Sequence, residues 1–250
     1  MTITTILFDM DSTLNSIDEI EFSRKYFKML HERFFSEFEL QFFYDSLTNI
    51  TKNVMLSRSP RELAIKTFMK EMAKCYKKPQ KKLYEDFKEF YATDYNQLEE
   101  FVRPAEGAQE LVQTCFNKGY DVIIATTPVF TEDAIMRRLK WSGMAEFTFE
   151  LVTHAENMHF SKPLEEYYTE ILKKTKKKYS ECIMVGNEFM GDIVSPTRIG
   201  LKTFYIPLRP ENEDLFVSPE LKRFSKIKPT YQGTLTDLTE IVKSGFLNLD

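Results

Sequence analysis

Four short stretches of this 250-residue chain carry side chains able to do chemistry, and three of them stand directly after an apolar run. Asp9-Met10-Asp11-Ser12-Thr13 follows Ile3 to Phe8. Two carboxylates this close share a face if the strand continues through them, and can still converge on one site if Asp11 lies in a loop. Such a pair can divide labour, one acid ionised as nucleophile or metal ligand and the other protonated as a proton donor. Thr126-Thr127-Pro128 follows Val122 to Ala125, where a hydroxyl and neighbouring backbone N–H groups could bind an anion. Lys162 stands in Ser161-Lys162-Pro163 just ahead of a helical pattern. A cation at a helix N-terminus opposes the helix dipole, so an anionic partner is expected. Gly186-Asn187-Glu188-Phe189-Met190-Gly191-Asp192 follows Cys182 to Val185 and offers the oxygen ligands that Mg²⁺ prefers. Taken singly, each stretch also fits a bland account: an acidic turn, a capping hydroxyl, a solvated loop lysine, a structural loop.

The elements that must position these groups are legible in outline. Ile3 to Phe8 reads as a buried strand ending in a polar loop. Residues 17–99 read as helical throughout: they contain no glycine, only Pro60 and Pro79, and 10 of the 22 Phe with 6 of the 12 Tyr. Ile20, Phe27, Leu30, Phe34, Phe38 and Phe42 recur at helical spacing and form the expected buried stripe. Ser59-Pro60-Arg61-Glu62 has the form of a capping box opening a helix that buries Ala64, Phe68, Met72 and Cys75. A further helix follows Pro79, with Leu83, Phe87 and Phe90 inward. From Arg103 onward, helices alternate with short apolar strands at 121–125, 149–153, 182–185 and 202–206. Thr131 is expected to cap the helix that ends near Gly143, and a last helix runs from Asp237 to Gly245. This alternation indicates βαβ units and a parallel sheet. Strand 3–8 and strand 121–125 are expected in one sheet, which makes 17–99 an insertion. All four polar stretches then open on the same sheet edge, where ligands sit beyond the carboxyl ends of the strands. Together they match a Mg²⁺-assisted attack on a phosphoryl centre.

Composition removes the competing phosphate chemistries. The chain has eight glycines where ordinary usage would give roughly 17 or 18, and none precedes Gly107. Neither a G-x-G-x-x-G nor a G-x-x-x-x-G-K-[ST] cradle can be written, so dinucleotide and P-loop sites are excluded. A net charge of −4 argues against a nucleic-acid surface. No apolar run approaches the roughly 20 residues of a membrane span, and no basic segment precedes the first apolar run, so a cytoplasmic protein is expected. Cys75, Cys115 and Cys182 are too few and too far apart for a disulfide framework or a zinc motif. His154 and His159 are expected at the surface.

In order and context, Asp9-x-Asp11-Ser12-Thr13, Thr126, Lys162 and Gly186-Asn187…Asp192 resemble the four motifs of the haloacid dehalogenase superfamily. The resemblance covers the whole chain and implies an α/β fold: a Rossmann-like, doubly wound parallel-sheet core at 1–16 and 100–250, with 17–99 as an inserted all-helical cap. It further implies that Asp9 is the nucleophile and forms an aspartyl-phosphate. Asp11 would protonate the leaving oxygen and then activate water, its main-chain carbonyl also binding Mg²⁺. Ser12, Thr126, Thr127 and Lys162 would hold the phosphate, and Asp9, Asp11, Asn187 and Asp192 the metal. The expected substrate is a small phosphorylated metabolite, since a helical cap leaves an enclosed site that excludes water.

One departure stands out. The fourth motif usually begins Gly-Asp, whereas here it is Gly186-Asn187, one negative charge fewer. If Asn187 only supports Asp192, Mg²⁺ should bind roughly tenfold to a hundredfold more weakly than with Asp at that position. Dehalogenases of the family lack the second acid of the first motif, so Asp11 argues for phosphate chemistry. A phosphomutase, or a catalytically weak binding protein that keeps the fold, are the alternatives. Arg24, Lys25, Arg58, Arg61 and Lys66 in the helical insertion are the candidates for specificity.

Overall fold

The computed structural model describes residues 2–208 and 223–246. Of the expected core, residues 1, 209–222 and 247–250 lie outside the described residues. In chain order the strands are β1 (Thr5–Phe8), β2 (Asn15–Ile17), β3 (Val102–Pro104), β4 (Asp121–Ile124), β5 (Leu151–Val152), β6 (Cys182–Gly186), β7 (Lys202–Tyr205) and β8 (Tyr231–Gln232). The helices are α1 (Glu19–Phe34), α2 (Leu40–Met55), α3 (Ala64–Tyr76), α4 (Gln80–Ala92), α5 (Ala108–Asn117), α6 (Glu132–Trp141), α7 (Glu165–Thr175), α8 (Ser195–Arg198) and α9 (Leu235–Ser244).

Six strands form one parallel sheet in the order β5-β4-β1-β6-β7-β8. All four residues of β1 are buried, as expected of a strand covered on both faces. Alternate residues point to opposite faces. Ile6 and Phe8 join Val122, Ile124, Ile183 and Val185 in a core with α5, α6 and α9. Leu7 instead joins Ile123 and Met184 against Tyr167, Tyr168 and Ile171 of α7. The strand order runs outward from β1 through β4 and β5 on one side, and through β6, β7 and β8 on the other. The loops leaving β1, β4 and β6 therefore open side by side where the winding reverses, the place where such sheets bind ligands.

Between β2 and β3, which pair antiparallel from Asn15↔Pro104 to Ile17↔Val102, the chain forms α1 to α4 and a 3₁₀ helix over Asp94–Phe101. These elements share an aromatic-rich cluster including Phe22, Tyr26, Phe43, Phe87, Phe90 and Tyr95. The buried stripe of α1 is Phe22, Tyr26 and Leu30, of which Leu30 is an expected member, while Phe27, Phe34 and Phe38 pack partly buried against the same cluster. Ile20 and Phe42 are 71% and 45% exposed: Ile20 lies off the buried face of α1, and the chain breaks at 35–39 so that the period of α1 does not run on into α2.

The Ser59 capping box does not form either: α3 begins only at Ala64. Its first N–H groups are satisfied at a distance, Ala64 N donating to Met158 O and Ile65 N to Ala155 O, each at 2.8 Å. Likewise Thr131 precedes α6 but its buried hydroxyl has no partner, while Glu132 N donates to Glu156 Oε2 at 2.8 Å. In both places a long-range acceptor replaces the local cap. The same 154–158 loop buries His154, which is 8% exposed and so not a surface residue. Among the described residues, no helix is long and apolar enough to cross a membrane.

Candidate active site

At the carboxyl end of β1, Asp9 N donates to Val185 O, and Ala125 N donates to Phe8 O, at 2.9 and 2.7 Å. The sheet's own hydrogen bonding thus brings the loops after β1, β4 and β6 together. Lys162 arrives from the loop ahead of α7, only 3% exposed. Its Nζ donates to Asp9 Oδ1 at 2.7 Å and to Asp192 Oδ1 at 2.6 Å. Asp192, fully buried in the π-helical turn Phe189–Val194, also accepts from Glu188 N at 3.0 Å through Oδ2. The loop is shaped around this carboxylate. A Cβ on Gly186 would stand 2.2 Å from Asp192 Oδ2, so only glycine fits there.

The inward end of the Asn187 amide lies 3.2 Å from Asp9 Oδ2, 3.1 Å from the Asp11 main-chain oxygen and 2.8 Å from Thr13 Oγ1. Of the fourth-motif groups, it is therefore Asn187 that faces Asp9 and the Asp11 carbonyl, whereas Asp192 is taken up by Lys162 and Glu188. Asp11 turns its carboxylate to Arg138 of α6 through Oδ2 and to Asn15 Nδ2, 3.2 Å from Oδ1.

Thr126 is buried at the end of β4, its carbonyl accepting from Thr153 Oγ1 at 2.7 Å and from Tyr167 Oη at 2.8 Å. Thr127 is half-buried. Among the described residues neither threonine side chain bonds to the Asp9 group. Ser12, in the left-handed region at φ 60°, directs its hydroxyl toward Glu19 Oε1 at 3.4 Å. Asp9, Lys162, Asp192 and Asn187 are thus brought into contact, Asp11 contributes its carbonyl to the group, and Ser12 and Thr127 stand at its margin. Three of the specificity candidates are engaged elsewhere, Arg24 with Glu21, Lys25 with Glu100 and Arg58 with Glu166. A cavity of about 370 Å³ between α3, α4 and Glu156 is lined by Lys66 but by none of the site residues.

Several participants are hard to see in the sequence. Thr13 closes the first motif and Asn15 stands just beyond it, where neither can be told from a turn residue. Tyr167 and Tyr168 look like plain core aromatics, yet their hydroxyls reach Thr126 O and Gly191 O, bracing two of the site's loops. Arg138 could have been found: Ala134, Ile135, Arg138 and Leu139 share the buried face of α6, and a cation on an apolar stripe needs a partner.

Burial dominates the electrostatics. It pushes Asp9 up from 3.8 to about 7, with the neighbouring Asp192 adding to the rise and Lys162 opposing it. Burial also raises Asp192 against the pull of Lys162. Desolvation works against the Lys162 charge, but Asp192 and Asp9 together outweigh it and hold the ammonium well above its usual range. The arrangement is a fixed cation between two carboxylates, one of which keeps an oxygen facing a further set of oxygen atoms.

A model of the haloacid dehalogenase-like hydrolases matches residues 6–206. The chain belongs to this family. Curated relatives include the pyrophosphatase PpaX of Halalkalibacterium halodurans, 25% identical over 215 residues, covering 86% of this chain and 88% of the relative. PpaX of Bacillus mycoides is 27% identical over 206 residues, covering 81% and 83%. Among solved structures, the magnesium-bound putative HAD-hydrolase YfnB of Bacillus subtilis is 21% identical with a TM-score of 0.55, covering 97% of this chain and 99% of that one. The L-2-haloacid dehalogenase of Xanthobacter autotrophicus is 13% identical with a TM-score of 0.59, covering 96% and 98%. At these identities the structural likeness speaks for the fold, and the sheet with flanking helices is that fold.

The raised Asp9 value makes stability depend on pH. Between its ordinary value and about 7, native Asp9 holds a proton that the unfolded chain has released, so stability falls as pH rises through that window. Asp9→Asn removes this penalty while Lys162 keeps Asp192. In metal-free protein at pH 8 the substitution should stabilise by about 1–3 kcal/mol and raise the melting temperature by roughly 2–8 °C. At pH 4 the gain should vanish. Thermal melts of both proteins across pH 4–8 check this, and an equal shift at both ends would refute it.

Proposed function

We propose that the chain is a Mg²⁺-dependent phosphatase acting on a small phosphorylated metabolite through an aspartyl-phosphate on Asp9. The observation that carries this reading is the Asp9 carboxylate itself, buried, with Oδ1 on Lys162 at 2.7 Å and Oδ2 3.2 Å from the Asn187 amide, which also approaches the Asp11 carbonyl. A carboxylate held at fixed geometry beside a cation is an activated nucleophile with its charge stabilisation already in place.

The donor chemistry suits Mg²⁺. Asp9 Oδ2 and the Asp11 main-chain oxygen lie 3.2 and 3.1 Å from the inward end of the Asn187 amide, and with the Asn187 carbonyl turned inward all three are hard oxygen ligands. Neighbouring ligands of an octahedral ion with 2.0–2.1 Å bonds lie about 2.9 Å apart, and Mg²⁺ keeps waters and substrate oxygens for its other positions. Bound there, the ion would neutralise charge on the phosphoryl oxygens. Asp192 supports the set from behind through Lys162.

Asp9 attacks phosphorus, and the bond to the leaving oxygen breaks with its electron pair departing on that oxygen. Asp11 supplies the proton the leaving oxygen needs. Water then attacks the phosphorus of the aspartyl-phosphate, Asp11 takes a proton from it, and the Asp9–phosphorus bond breaks to restore the carboxylate. Lys162 stays charged throughout and offsets the negative charge that accumulates between Asp9 and the phosphate. Thr126 and Thr127, at the end of β4, and Ser12 flank the position of the phosphoryl oxygens. The PpaX relatives favour a phosphoanhydride, inorganic pyrophosphate, as one member of the substrate panel.

Incubation with p-nitrophenyl phosphate, pyrophosphate and a panel of sugar and organic-acid phosphates, with Mg²⁺, should release phosphate. EDTA should abolish the release and Asp9→Asn lower it by at least about 10³-fold. Isomerisation of a sugar phosphate without net phosphate release would favour a mutase. Release no faster than the Asp9→Asn background across the panel would leave a binding role.

A second measurement needs no turnover. Asn187→Asp should tighten Mg²⁺ binding by roughly tenfold to a hundredfold in calorimetric titration. Without Mg²⁺ the same variant should melt below the wild type, because its carboxylate faces Asp9 Oδ2 and the Asp11 carbonyl where the amide can donate to both. Equal affinity and equal metal-free melting would refute the assignment of Asn187 to the metal.

A further inference from the structure

Arg138 is a buried cation that the reacting groups of the site do not themselves require. It sits on α6 at 3% exposure, and a buried guanidinium costs several kcal/mol unless paired. Its partner is the carboxylate of Asp11, which accepts from one of its terminal N–H groups, and its guanidinium carbon lies 4.5 Å from the centre of the Phe130 ring. The neighbouring Arg137 instead reaches out to Asn96 and the Ala92 carbonyl. The pairing is built into a closed ring. Asp11 Oδ1 accepts from Asn15 Nδ2 at 3.2 Å, Asn15 Nδ2 also donates to Ser142 Oγ at 2.9 Å, and Ser142 Oγ donates to Arg138 O at 2.6 Å. Arg138 of α6 thus holds Oδ2 directly, while Ser142, the residue just after α6, anchors the Asn15 amide that holds Oδ1.

We propose that Arg138 is the positioning residue for Asp11, fixing its carboxylate at the mouth of the site by a bond to Oδ2 while Asn15 and Ser142 fix Oδ1. Arginine suits this task where lysine does not. Its guanidinium can lie against the Phe130 ring while a terminal N–H donates to the carboxylate, a combination a compact ammonium does not offer. The proposal rests on the phosphatase reading for what Asp11 does, namely to exchange protons with the leaving oxygen and with water. Proton transfer by a positioned side chain contributes about 10²–10⁴-fold, and that contribution is forfeited when the carboxylate wanders. Arg138 acts through Asp11 and is not itself assigned to the reacting atoms.

The test combines kinetics with a structure. With the panel compound hydrolysed fastest, Arg138→Met should lower kcat by about 10²-fold with KM within about threefold, and Arg138→Lys should recover at least about tenfold of that loss. In an Asp11→Asn background, Arg138→Met should cost less than about threefold more, since its effect runs through the missing carboxylate. An undiminished kcat, or a loss in that background as large as in the wild type, overturns the proposal. If Arg138→Met does not fold, Arg138→Lys decides: a roughly tenfold fall in kcat at constant KM supports the proposal and full kcat overturns it. A crystal structure needs no activity and separates this proposal from the phosphatase reading. In Arg138→Met, or failing that Ser142→Ala with Arg138→Lys, Asp11 should leave its place or split between rotamers. Asp11 unmoved would overturn the positioning role even if the protein proved to be a phosphatase. Should the wild type release no phosphate, the position of the Asp11 carboxylate in those variant crystals decides for or against Arg138 by itself.

Discussion

The site depends on one buried ammonium shared between two buried carboxylates. Lys162 Nζ reaches Asp9 at 2.7 Å and Asp192 at 2.6 Å, with all three side chains nearly shut off from water. Desolvation of each charge is costly, and only the mutual geometry offsets it. Removing Lys162 would strand two buried carboxylates, which is why the surrounding fold holds it so specifically. Gly186 leaves room for the Asp192 carboxylate, Glu188 N donates to its second oxygen, and Tyr168 Oη holds the Gly191 carbonyl at 2.7 Å. The arrangement also carries one more negative than positive charge when both acids ionise, so a further cation is electrostatically at home beside Asp9.

That arrangement is possible because the sheet delivers its members from three directions at one edge. Asp9 leaves the central strand, Asp192 follows β6 immediately beside it, and Lys162 comes from the far side of β4 through the loop ahead of α7. The sheet hydrogen bonds fix the first two to within the register of β1 and β6, Phe8 opposite Val185. Lys162 is held more indirectly, by Tyr167 and Tyr168 packing α7 onto Leu7, Ile123 and Met184. The adjacent tyrosines join core packing to site geometry: their rings fill the layer under the sheet and their hydroxyls tie down the loops at its edge.

Much of this was legible in the residues, and the boundary of legibility has a physical cause. Apolar runs ending in Asp, Thr or Gly-Asn identify β1, β4 and β6 because a strand covered on both faces must be apolar throughout, and nothing else in the chain imitates that. The helices between 19 and 92 follow from their aromatic periodicity and the absence of glycine. Where local rules failed, a distant partner had taken over. Ser59 and Thr131 are sound capping residues, but carbonyls at 155 and 158 and the Glu156 carboxylate satisfy the helix ends in their place. His154 reads as a loop residue and is buried under the same segment. The 154–158 loop thus accounts for three departures at once, since a segment that supplies acceptors across space leaves no mark on the sequences it serves. The strands β2 and β8 were missed for a simpler reason, being only three and two residues long.

Asn187 and Arg138 act on the oxygens of the site in complementary ways. An amide beside Asp9 Oδ2 and the Asp11 carbonyl can donate to both or, turned over, offer its own oxygen, so the oxygens there are satisfied whether or not a cation is present. A carboxylate in the same place would depend on a cation, since like charges set that close repel. The guanidinium of Arg138 does for the Asp11 side chain what Asn187 does for its backbone oxygen, supplying a donor where the acceptors are crowded. Asp9, Asp11 and Asp192 lie within one small region, yet each has a donor of its own: Lys162 for Asp9 and Asp192, Arg138 and Asn15 for Asp11, with the Asn187 amide beside the remaining oxygens. A site so supplied stays assembled without help from a ligand. The acidic groups are therefore already oriented before any ligand arrives, and binding energy need not be spent on gathering them.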